Sequence, residues 1–130
     1  MLTTIPLNPT AVEIVAEGDL TRDDVTRVLA DIALMLGTTD RLDLLADVRG
    51  PLHYSFGIFA EEMKHLPEIF RIVRALGRVA VIADESWIRT AAKIESKLIP
   101  GVDYEVYSRA EAAHAREWLL RHTDVAHQAA

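Results

Sequence analysis

The stretch RVAVIADESWIRTAAKIESKLIPG, residues 78–101, holds a strand, a turn and a helix with every boundary signal in place. Residues 78–83 form a short apolar, β-branched run without clean alternation, the pattern of a strand covered on both faces and placed in the middle of a sheet. Asp84, Glu85 and Ser86 follow, and carboxylates and a hydroxyl are what a helix N-terminus accepts, since they offset its dipole and cap its unpaired N–H groups. Pro100-Gly101 then stops the helix.

Working outward from this unit, the same alternation of strand and helix recurs. Residues 5–7 and 11–17 read as two strands parted by Asn8-Pro9, and Val12, Ile14 and Ala16 alternate with Glu13 and Glu17. They predict an edge hairpin, turned away at Gly18-Asp19. Thr21 opens a helix with Asp24 completing a capping box. Its Val25, Val28, Leu29, Ile32, Met35 and Leu36 share one face, and Gly37 ends it. Residues 42–48 are the next strand, followed by a turn at Gly50-Pro51. The stretch 53–76 is helical by pattern but contains Pro67, which clashes with the preceding turn, so two helices are expected at 54–64 and 66–76. A short strand at 104–107 precedes Ser108, which with Glu111 makes a second capping box before the last helix. Residues 123–130 read as a frayed tail.

Strands separated by helices of ten or more residues imply parallel pairing through right-handed crossovers. The expected fold is α/β, a small, mostly parallel sheet with an edge hairpin and helices packed on its faces, in a single domain over residues 1–130. Ligands in such sheets sit outside the carboxyl ends of the strands, where this chain carries Asp47, Arg49, Asp84, Glu85 and Ser86.

Composition narrows the function. The 130 residues contain no cysteine, which removes thiolate chemistry and Cys-based metal sites. A net charge of −6 argues against nucleic acid as a partner. The charge is uneven, with four basic against eleven acidic residues in 1–63, seven against four in 64–97 and three against five in 98–130. No apolar run approaches the roughly 20 residues of a spanning helix, and MLTTIPLNPT lacks the marks of a signal peptide, so a cytoplasmic setting is expected. The histidines at 53, 65, 114, 122 and 127 show no metal-binding spacing. Neither GxGxxG nor a Walker loop is present, and no cofactor is expected.

Taken together, VAVIADESWIR at 79–89, the Ile99-Pro100-Gly101 stop, the short strand before Tyr107 and EAAHAREWLL at 111–120 resemble the SpoIIAA-like, STAS-related family of small bacterial proteins. The resemblance covers most of the chain. It implies a STAS-like sandwich and a ligand-binding or membrane-associating role without an established reaction. One departure stands out. STAS proteins that antagonise anti-sigma factors carry a phosphorylatable serine in a DSSG-like turn, whereas this chain has Asp47-Val48-Arg49-Gly50-Pro51, with its nearest serine at Ser55.

Three readings of the chemistry follow from the residues. Between 50 and 66 the chain is more apolar than one amphipathic helix requires, with Phe56, Phe59 and Met63 on one face and Tyr54 and Ile58 on the other. The first reading is a non-enzymatic module that binds a small amphipathic molecule or lipid under a helical lid at 53–66, hinged at Gly50-Pro51 and near Pro67. Phe56, Phe59 and Met63 would line it, and Asp47, Arg49, His53 and Tyr54 would set its polar end, with Arg49 a carboxylate or phosphate clamp. A stripe of Arg89, Lys93 and Lys97, with Arg71, Arg74 and Arg78, would make a basic patch for an anionic lipid headgroup, as in peripheral membrane contact, a nucleotide or an acidic partner. The second reading is a homodimer or protein-interaction domain using the same apolar helix. The third is a hydrolase built from Ser55, His53 and Asp47, without a nucleophile elbow. Against these stands the plainer view that the apolar face is core, the stripe is solvated and the strand-end charges pair with each other.

Overall fold

The computed structural model describes residues 1–54, 66–84 and 102–129, with side chains at 1–50, 67–84 and 102–121. Among them run β1 (Leu2–Asn8), β2 (Ala11–Leu20), α1 (Arg22–Leu36), β3 (Leu42–Tyr54), α2 (Leu66–Ala75), β4 (Leu76–Ala83) and β5 (Asp103–Ser108). A 3-10 turn (Arg109–Glu111) then leads into α3 (Ala112–Ala129). The helix expected at 86–99 and the first of the two expected at 54–76 lie outside the described residues, apart from residue 54.

The five strands form one sheet in the order β1-β2-β3-β4-β5. The β1–β2 pair is antiparallel and every other pair is parallel, so the expected edge hairpin and parallel body are both present. Because β2, β3 and β4 advance one strand at a time in the same direction, right-handed connections put α1 and α2 on one face. The described crossover helices α1 and α2 pack against each other, and Val12, Val28, Ile32 and Leu42 form the buried cluster on that side, with Ile72 of α2 against it. On the other side α3 seals Leu45, Ala80 and Ile82 beneath Ala115 and Leu119. The alternation of β3 explains the division, since Leu42 and Leu44 point one way and Leu45 the other. No helix among the described residues is long and apolar enough to cross a membrane.

The strands β2 and β3 exceed their expected bounds for a common reason. Gly18 and Gly50, read from sequence as turns, have φ of +63° and +70° but sit inside β2 and β3. Glycine supplies a left-handed residue to a strand irregularity as readily as to a turn. The ladder passes from Glu17–Arg49 to Asp19–His53 across that irregularity. There Pro51, which lacks an N–H, does not end the strand. Hence the chain does not leave the sheet at Gly50-Pro51, and His53 and Tyr54 lie on β3 rather than in a helix. Likewise α2 stops at Ala75 and β4 starts at Leu76, ahead of the expected position 78. The centre of the sheet is β3, with β4 beside it. The α3 backbone is helical through Ala129, across the stretch read as frayed.

Both expected capping boxes are formed. At the first, the Thr21 hydroxyl accepts from the Asp24 N–H at 3.1 Å while Asp24 Oδ2 accepts from the Thr21 N–H at 2.9 Å. Burial alone would push the Asp24 carboxyl up, but bonds from the Thr21 N–H, Arg27 and the Thr21 hydroxyl outweigh it and hold it far below the usual carboxylate range. A folded-state value depressed in this way adds stability that is complete above about pH 4 and drains as pH falls toward the folded value. Asp24→Asn is therefore expected to cost about 1–2 kcal/mol near neutral pH. The gap to wild type should narrow below about pH 4, as urea unfolding at pH 7 and pH 3 would read.

Candidate functional site

Asp47 and Arg49 stand two residues apart on β3, so both side chains leave the sheet on the side that α3 covers. Asp47 lies in a row across the sheet with Val15 and Ile82, and Ile82 continues the row to Tyr107. It is the charge in an otherwise largely apolar row, and its side chain is 3% exposed. A buried carboxylate must be met by donors, and two arginines meet this one. Arg49 Nε donates to Oδ2 at 3.1 Å. Arg109 Nη1 donates to Oδ1 at 2.8 Å, and its Nη2 donates to the Val48 carbonyl at 2.6 Å. Each arginine side chain is 48% exposed, so both guanidinium groups reach solvent at the C-terminal edge of the sheet.

Arg109 was missed by sequence reading, which had no contact to suggest a bond over 62 residues. Its signal was the capping box itself. The Ser108 N–H and hydroxyl both donate to Glu111 Oε1, at 3.0 and 2.9 Å. These bonds also hold the Glu111 carboxyl below its ordinary value. They fix the first turn after β5, and Arg109 is in that turn.

The other expected site residues are only partly placed. The backbones of His53 and Tyr54 pair with Asp19 and Leu20, but their side chains lie outside the described ones, as do Phe56, Phe59 and Met63 altogether. Both oxygens of Asp47 accept from arginines, and Ser55 lies outside the described residues, so the paper triad gains no support. Arg71 and Arg74 are exposed on α2 and, with Leu36, Thr39, Asp40 and Ala75, line an open groove of about 260 Å³. Arg89, Lys93 and Lys97 of the expected stripe are not among the described residues. Arg78 does not belong to a solvated patch. Its Nη1 donates to the Trp118 carbonyl at 3.1 Å and its guanidinium lies 4.4 Å from the Trp118 ring centre, so it holds α3. Among the described residues no group of three or more His, Asp or Glu could hold a metal ion.

No curated protein gives a match. A family model described as SpoIIAA-like matches residues 11–120, the span from β2 to the middle of α3 that contains the Asp47, Arg49 and Arg109 cluster, and the chain belongs to this SpoIIAA-like, STAS-related family.

Proposed function

We propose that this STAS-type domain is a non-enzymatic module that binds a small amphipathic molecule or lipid at the C-terminal edge of its sheet. The observation that carries the reading is the buried Asp47 with its two half-exposed arginines. A folding core has no need of two cations directed to solvent, whereas a binding site commonly combines an apolar wall with a few fixed polar groups. The apolar wall is the part supplied by sequence, at Phe56, Phe59 and Met63. Peripheral contact with an anionic membrane fits the exposed Phe70 beside Arg71 and Arg74 on α2. Support for a non-enzymatic reading comes from Asp47, whose two oxygens both accept from arginine.

A second reading, a homodimer, is favoured by Leu34 and Phe70, which are 76% and 59% exposed on the helices of the opposite face. Native mass spectrometry of the purified protein separates the two. The expected result is a monomer that retains an amphipathic molecule and releases it on denaturation. A stable ligand-free dimer would replace the first reading with the second, and a bare monomer that takes up no added amphiphile would overturn both.

A further inference from the structure

Building on the ligand-binding reading above, we propose that Arg49 and Arg109 together hold the head of the ligand, and that this head is a singly charged oxyanion, a carboxylate or a phosphodiester. One carboxylate neutralises one of two guanidinium groups held against it, and the second charge is left without compensation from Asp47. A guanidinium carries five N–H groups in a planar fork. In the described contacts of this cluster Arg49 commits Nε alone to Asp47, and Arg109 commits Nη1 and Nη2 to Asp47 and the Val48 carbonyl. Asp47, locked at 3% exposure, sets where the two forks sit. Their remaining donors are thus positioned before a ligand arrives, which is the arrangement that grips a carboxylate or phosphate through paired bonds.

The acids nearby set the charge of the head. Glu17 neighbours Arg49 in register and is exposed. Asp84 follows the end of β4, is exposed and carries a partner of its own. Glu111 is turned to its cap at Ser108. This acidic surround weakens the field that a doubly charged phosphate would need, while leaving short-range bonds to a single charge intact.

The test is calorimetric titration of the full chain with three amphiphiles below their micellar concentrations: decanoate, dihexanoyl phosphatidylglycerol and the neutral decyl glucoside. Decanoate or the phosphatidylglycerol is expected to bind at least tenfold more tightly than the glucoside, and the preference between them identifies the source of the head. Arg49→Gln and Arg109→Gln should each weaken the charged ligand roughly tenfold to a hundredfold without changing the glucoside, while Arg22→Gln on α1 changes nothing. Arg49→Lys and Arg109→Lys keep the countercharge for Asp47 and so guard against misfolding. They should bind between wild type and the glutamine variants, because an ammonium cannot form the paired bonds. If all three amphiphiles bind alike and the glutamine variants match wild type, the oxyanion assignment is overturned while the module reading stands. If wild type binds none of the three, both fall.

Discussion

Asp47→Asn is expected to destabilise the protein by about 2–3 kcal/mol, with a fall in melting temperature of roughly 10 °C for a chain of this size. The amide keeps the shape of the carboxylate but turns a donor toward one of two guanidinium groups that now lack their shared countercharge. Full burial of all partners would raise the cost to about 3–5 kcal/mol. Here Arg49 and Arg109 are each 48% exposed, and water recovers part of the loss. Because the carboxylate itself is sequestered, raising the salt concentration should change the difference little. The interaction can be isolated by a cycle. In an Arg109→Gln background Asp47→Asn should cost less than in wild type, since one of the bonds it breaks is already gone. Urea unfolding of the four proteins measures this, and a cost under 1 kcal/mol for Asp47→Asn alone would mean that the cluster does not hold the sheet edge.

What the sequence allowed to be seen, and what it concealed, divides by range. The capping boxes at Thr21 and Ser108 are local, three residues across, and both were legible. So was the pairing sense of the sheet, because helix-length connections leave parallel strands no alternative. Gly18 and Gly50 misled, since a residue of positive φ marks a bend without saying whether the strand resumes. It resumes here because β2 and β3 lengthen together, each supplying the partner that the other needs past the irregularity. Of the site, Asp47 and Arg49 were readable from their place at the expected end of a strand, although β3 itself runs on to Tyr54. Arg109 was not, because the capping box beside it marks a turn without saying that the turn reaches Asp47 past the intervening β4. Arg78 erred in the same way. Its charge pattern put it with solvated bases, and the ring that covers it comes from Trp118, on a different element.

The second large effect concerns how α3 is held. Glu13, on β2, has a side chain 6% exposed, and Arg116 of α3 brings both Nε and Nη2 to 3.1 Å from its Oε1. Arg116→Ala is expected to cost about 2–3 kcal/mol, because it removes the described partner of a carboxylate that burial keeps from water. Losing an attraction and stranding a charge are different events, and a second variant tells them apart. Glu13→Gln combined with Arg116→Ala should be more stable than Arg116→Ala alone by about 1–2 kcal/mol, since the stranded charge is gone. If the double variant is the less stable of the two, Glu13 is not stranded in the single one. The consequence extends to the sheet edge. The turn that carries Arg109 runs directly into α3, whose apolar seat among the described residues is Ala115 and Leu119 with Ala112 and Trp118 beside them. A seat that small relies on its polar fastenings at Arg116 and Arg78. Loosening α3 should let Arg109 drift from Asp47, so Arg116→Ala is expected to weaken binding of a charged amphiphile severalfold although Arg116 belongs to a different ion pair. Hydrogen exchange gives the accompanying sign, with α3 amides losing protection in Arg116→Ala while those of β2 and β3 keep theirs.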